Sequence, residues 1–137
     1  MLYTTYFAKV GRLPRNVIPV SICAKPPFWW EGLQYKKLAP SYSILSEYKK
    51  KPDIELYTRR YDFEILSRID FHRVLDDLQV MIPEWIKIQM KEPFWRSSDW
   101  HIALVCYEKP SDFCHRHIVA DWFRKHGIEC RELSNMK

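Results

Sequence analysis

The chain is expected to adopt an α/β fold, a small Rossmann-like layered fold with a mainly parallel sheet, and three stretches carry that expectation. The run His101-Ile102-Ala103-Leu104-Val105-Cys106-Tyr107 reads as a buried strand, and the aromatic and β-branched opening from Leu2 to Ala8 reads as another. Between them, Ile65, Ile69, His72 and Leu75 recur at helical intervals beside Leu66, Val74 and Leu78, which predicts a long helix over 61–80 with its apolar face on the core. Strands interleaved with helices favour layered packing over a bundle or a sandwich.

Taken in order, Gly11 and Pro14 end the first strand. Val17 to Cys23 is a second strand candidate, with Pro19 tolerable near its start. Lys25-Pro26-Pro27-Phe28-Trp29-Trp30 is a loop, and 32–39 gives no secure element. Pro40-Ser41 followed by Ile44, Leu45 and Tyr48 begins a short helix that reaches toward Lys50. Pro83 interrupts the chain, and Trp85 to Met90 fits an extended segment as well as one or two helical turns. Pro93 to Trp100 reads as an exposed aromatic loop. After Pro110, Ser111 is the expected cap of a helix carrying Ile118, Val119, Trp122 and Phe123, which Gly127 stops. Ile128 to Leu133 is a marginal last strand, suited to a sheet edge.

The length of 137 residues, 47% of them apolar, fits a single α/β domain over 1–137 with a real core. Three glycines against nine prolines exclude a glycine-rich phosphate cradle. The net charge of +5 is uneven: residues 1–60 carry eleven Lys and Arg against four Asp and Glu, while 61–137 carry eleven against thirteen. Lys9, Lys25, Lys36, Lys37 and Lys49 to Lys51 therefore suit either the steering of a polyanion or a plain soluble surface. The opening residues lack a secretory pattern and no apolar run is long enough for a bilayer, so a cytoplasmic location with no membrane partner is the expectation. Cys23, Cys106, Cys114 and Cys130 lack the spacing of a disulfide scaffold and are expected as reduced thiols.

Chemistry concentrates in 104–117, where a buried strand feeds a helix, the standard place for a ligand crevice in an α/β fold. Cys114 near the helix start is a candidate nucleophile, with His115 or His117 as proton acceptor. Glu108 is a candidate general acid or base, or a surface ion-pair partner. Cys106 is a second sulfur for the site, or a small core hydrophobe. Arg116 suits a phosphate or carboxylate clamp, or a partner for Glu108 or Asp112. Ligand contacts are also assigned to His117, Tyr107, Tyr6 and Lys9, with Tyr6 as a stacking surface. The sulfurs and imidazoles are metal-capable, but His115 and His117 point in different helical directions, so no metal and no cofactor are expected. Asp70, His72 and Asp76 fit core packing better than catalysis.

Leu104-Val105-Cys106-Tyr107-Glu108-Lys109, Asp112-Phe113-Cys114-His115-Arg116 and Val119-Ala120-Asp121-Trp122 together resemble the domain of unknown function 488, a family of small microbial and viral proteins. The opening from Tyr3 to Lys9 and the segment Tyr35 to Pro40 resemble it too, and 81–100 does so least. The resemblance implies a compact α/β protein with Cys106, Glu108, Cys114, His115 and Arg116 around a common crevice, and it supplies no substrate. Three functional readings follow. The first is a small enzyme acting on a nucleotide-like or other anionic ligand. The second is a noncatalytic nucleic-acid-binding module that uses the basic half with Phe28, Trp29, Trp30 and Arg96. The third is an interaction protein whose cysteines are structural.

Overall fold

The apolar run at 101–107 forms the middle of the sheet. In this computed structural model, which describes residues 1–108 and 113–133, strand β4 (His101–Cys106) lies between β2 (Val17–Ser21) and β1 (Leu2–Tyr6). The two-residue β3 (Leu33–Gln34) and β5 (Cys130–Glu132) form the edges, giving the order β3-β2-β4-β1-β5 with every pairing parallel. A strand paired on both sides and covered on both faces needs apolar residues throughout, and Ile102 to Cys106 are all buried. Pro19, which has no N–H to give, lies below the start of the β3 pairing, which begins at Val20.

Among the described residues, five α-helices complete the fold: α1 (Tyr42–Lys50), α2 (Ile54–Glu64), α3 (Phe71–Met81), α4 (Glu84–Lys87) and α5 (His115–Lys125). Ser41 caps α1 by accepting from the Ile44 amide at 3.2 Å, and Gly127, at φ +84°, ends α5. The first four helices connect β3 to β4. The chain leaves β1 toward β2 and leaves β4 toward β5, in opposite directions across the sheet. Adjacent parallel strands whose connections leave in opposite directions make the carboxyl ends of β1 and β4 a topological switch point. Helix α5 packs on β1 and β4, whereas the β1–β2 connection is only a 3-10 turn over Phe7–Arg12.

Three expectations need correction. The helix expected over 61–80 is two helices: α2 starts earlier, capped by Asp53, and ends at Glu64. A 3-10 turn at Leu66–Arg68 follows, and Asp70 caps α3 by accepting from the His72 amide at 3.1 Å. The apolar spacing runs through the break because Leu66 packs into the core from the turn as well as it would from a helix. His72, expected on the apolar face, is exposed. The stretch 93–100 is not an exposed loop: Phe94 is completely buried, Trp95 and Trp100 pack against the core, and the Phe94 amide donates to Gln79 Oε1 at 2.9 Å. Ser111, the expected cap of α5, lies outside the described residues, and Cys114 occupies the N-cap position. Among the described residues no helix is long and apolar enough to cross a membrane.

Candidate functional site

The register pairs Tyr6 with Cys106, so the ends of the two central strands stand side by side at the switch point. Cys114 then begins α5 directly beyond the end of β4. Its backbone is extended and its side chain caps no amide, because a sulfur is a weak acceptor and gains little at an N-cap. The sulfur turns inward instead. The structure brings Cys106 Sγ and Cys114 Sγ within bonding reach of each other, a pairing that the expectation of four reduced thiols did not include. Cys23 and Cys130 are free and buried, and burial pushes their thiols up to about 11 and about 12.

Around the sulfur pair the surrounding groups are fixed. Arg116 is completely buried. Its guanidinium donates through Nε and Nη2 to both carboxylate oxygens of Glu132, at 3.0 and 3.1 Å, and through Nη1 to Cys106 Sγ at 3.3 Å. It also lies over the Tyr6 ring, 5.7 Å from the centroid, while Thr4 Oγ1 donates to Glu132 Oε1 at 2.7 Å. The anion expected at Arg116 is thus internal: Glu132 occupies the bidentate fork, and the guanidinium has no open face for a ligand phosphate. Expected partners Glu108 and Asp112 do not fill that place; Glu108 is exposed just past β4, and Asp112 lies outside the described residues.

His115 is equally enclosed. Its Nε2 sits 2.8 Å from the carbonyl oxygen of Ile22, which can only accept, so Nε2 carries the proton and Nδ1 presents its lone pair toward Cys114 Sγ, 3.8 Å away. Burial holds the imidazole's pKa down at about 4, so it is neutral at pH 7. The Tyr61 ring packs 5.6 Å from it, and the Tyr61 hydroxyl donates to the Leu38 carbonyl at 2.6 Å. Cys106, Cys114 and His115 present ligand-type atoms that all lie within 4.8 Å of one another.

The other expected residues spread outward. Tyr107 is exposed, its hydroxyl donating to the Lys25 carbonyl at 2.7 Å and its ring 5.2 Å from Phe7. Phe7 also meets Trp29 and Trp30, which makes an aromatic rim on the carboxyl edge of the sheet. Lys9 sits half-buried on the 3-10 turn after β1, and neither it nor Glu108 forms an ion pair or side-chain hydrogen bond among the described residues. His117 lines a separate groove of about 300 Å³ between α2 and α5, with Thr58, Asp62, Asp121 and Lys125. Of the expected cationic rim, Lys37 pairs with Asp77 at 3.1 Å and Lys36 reaches the Ala24 carbonyl at 2.5 Å. Arg96 and Trp30 divide: the arginine is exposed, while Trp30 packs against the core and donates to the Leu33 carbonyl.

Sequence reasoning misses Glu132, the Ile22 carbonyl and Tyr61. Only Glu132 left a signal, an acidic residue two positions beyond Cys130, which puts it on the same face of a strand expected at an edge. No family model, no curated protein and no solved structure matches the chain.

Proposed function

We propose that the protein is a small thiol enzyme that acts on a nucleotide-like or other anionic ligand at the carboxyl edge of the sheet, in keeping with the resemblance to the domain of unknown function 488. One observation carries the reading: Cys114 Sγ stands at the head of an eleven-residue helix with a lone-pair nitrogen, His115 Nδ1, at 3.8 Å, and the ring is oriented by the Ile22 carbonyl. A sulfur nucleophile at a helix start, a neutral imidazole against it and a third group that fixes the ring are parts from which a covalent site is built. The N-terminus of α5 and the nearby guanidinium both favour sulfur in its anionic form.

Cys114 is the nucleophile in this reading because it is the more exposed of the pair, at 6% against 1% for Cys106. Its Sγ, ionised with its proton released to solvent, forms a bond to the electrophilic atom of the ligand, and the leaving group departs with the bonding electron pair; His115, held neutral by burial, faces the sulfur and orients it. Cys106, held by Arg116, is the second sulfur, and the disulfide is the resting oxidised form that a thiol reductant opens first. Tyr6, Tyr107, Lys9 and Glu108, at or just beyond the ends of β1 and β4, would contact the ligand in this reading. Arg116 acts through Cys106 and is a positioning residue.

The test is alkylation by iodoacetamide of freshly reduced folded protein, read at each cysteine by peptide mass spectrometry across pH. Cys114 is expected to react selectively, at pH values below the ordinary thiol range near about 8.5, while Cys23 and Cys130 stay unlabelled. Equal rates at Cys114 and at the two buried thiols would remove the nucleophile. A noncatalytic nucleic-acid-binding module is the second reading, favoured by the full exposure of Phe28 and half exposure of Trp29 next to Lys25. It predicts binding to single-stranded DNA that falls steeply with salt and with Trp29→Ala.

A further inference from the structure

We infer that the reduced chain holds one thiophilic divalent cation, of the zinc class, on Cys106 Sγ, Cys114 Sγ and His115 Nδ1. The inference uses the same sulfurs as the thiol-enzyme reading but does not rest on it, since a bound ion masks Cys114 rather than activating it for attack.

The donor set comes first. Two thiolates and an imidazole nitrogen are the ligands that borderline-soft ions such as Zn²⁺ select over Mg²⁺ or Ca²⁺. Zinc bonds of about 2.3 Å to sulfur and about 2.0 Å to nitrogen place tetrahedral donors roughly 3.5 to 4 Å apart. The three atoms here lie within 4.8 Å of one another, so the cluster is already drawn in to the scale of one ion once the sulfurs are freed from each other. They come from rigid places: the end of a central strand, an N-cap and the first residue of a helix.

The surrounding groups supply the second argument. A metal-bound histidine commonly donates its other N–H to a carbonyl or carboxylate, which fixes the ring and leaves the ligating nitrogen unprotonated. His115 has that arrangement, with Nε2 on the Ile22 carbonyl and Nδ1 turned toward the sulfurs. A metal-bound thiolate in turn accepts hydrogen bonds, and Cys106 Sγ accepts one from Arg116 Nη1. Charge closes as well. Two thiolates cancel a divalent ion, and Arg116 is already cancelled by Glu132, so the buried cluster is left with no net charge. Binding releases the two thiol protons to solvent. Three protein ligands are the number found where a fourth position is kept for water or substrate. The ion and the disulfide exclude each other, so the cluster has two closed states chosen by the redox condition.

Cobalt(II) is the probe, added to full-length protein reduced with a dithiol, stripped with a chelator and kept free of oxygen. The expected result is one equivalent bound, with thiolate-to-cobalt charge transfer in the near ultraviolet and the intense visible bands of a tetrahedral ion. Cys106→Ser and Cys114→Ser are each expected to lose the charge-transfer band, while Cys23→Ser and Cys130→Ser keep it. Hyperfine-shifted imidazole protons in the unsubstituted cobalt protein report His115 with its buried ring left in place. Absence of the charge-transfer band in a fully reduced chain overturns the inference, as does a band that survives in the Cys106→Ser/Cys114→Ser double variant. Shifted imidazole protons that persist in His115→Ala overturn it too. Alkylation of the metal-free protein separates the two readings. Cobalt bound at an otherwise unreactive Cys114 leaves the ion site standing and the enzyme reading refuted; a reactive Cys114 with no cobalt does the reverse.

Discussion

Replacing Glu132 by Gln is expected to be among the costliest conservative changes in the molecule. Arg116 has no solvent-exposed side-chain surface, whereas the Glu132 side chain keeps 20% of its own, so the variant strands a buried cation beside an amide that can accept only one of the two hydrogen bonds. Removing one member of a buried ion pair costs about 3 to 5 kcal/mol, and the partial wetting of Glu132 points to the lower end, about 3 kcal/mol. With an unfolding entropy near 2.1 cal/mol/K per residue, a chain of 137 residues loses roughly 10 °C of Tm for that change. Urea unfolding and calorimetry, with the sulfurs held in one oxidation state, measure it. The double variant Glu132→Leu/Arg116→Met carries the sharper test: it removes both charges, so its loss is expected to be smaller than the sum of the two single losses. A loss under about 1 kcal/mol in Glu132→Gln, or strict additivity in the cycle, would refute the claim that the guanidinium is held by an internal anion.

Acid is expected to destabilise the fold through His115. Burial lowers its folded pKa from 6.5 to about 4, so the stability it contributes is complete above about 6.5 and is lost as pH falls toward 4. That interval corresponds to about 3 kcal/mol, read from urea midpoints against pH, and an unchanged slope in His115→Gln would assign the acid loss elsewhere. Phe94→Ala is expected to cost about 3 to 5 kcal/mol, as a fully enclosed aromatic does, where an exposed loop residue would cost under about 0.5 kcal/mol. Gly127→Ala meets no atom within 4 Å, so its expected penalty of about 1 kcal/mol comes from the left-handed backbone alone, and a neutral result in thermal unfolding would contradict the role of that conformation in ending α5.

The parts of this fold that could be read in advance are those in which one residue pattern has one physical outcome. An unbroken apolar run paired with its own length gave β4, and an apolar stripe closed by a basic turn and Gly127 gave α5. Where a pattern is satisfied in two ways, it misleads: the spacing through Leu66 and Ile69 suits a continuous helix and also a helix, a turn and a second helix. Phe94 and Trp95 look like loop residues because Pro93 precedes them, yet Phe94 is enclosed in the core and its amide is met by Gln79 from α3, a distant partner that no local signal announces. Cys106 and Cys114 were placed near each other by the strand-to-helix reading, but their bond depends on the span between two element ends. The partner of Arg116 was illegible for a topological reason. Glu132 reaches it only because β5 lies beside β1 rather than beside β4, and strand order is a property of the whole chain.

That strand order also sets a timetable for synthesis. Both neighbours of β1, β4 and β5, come from the last third of the chain, so a nascent polypeptide carries Leu2–Tyr6 for about a hundred residues before any strand exists to pair with it. Strand β1 is made well before either of its partners, which makes closure of the sheet a late and long-range event. Until His101–Cys106 emerges from the ribosome, the apolar edges of β1 and β2 are open to other chains, and it is in that window that a helper protein would have the most to protect.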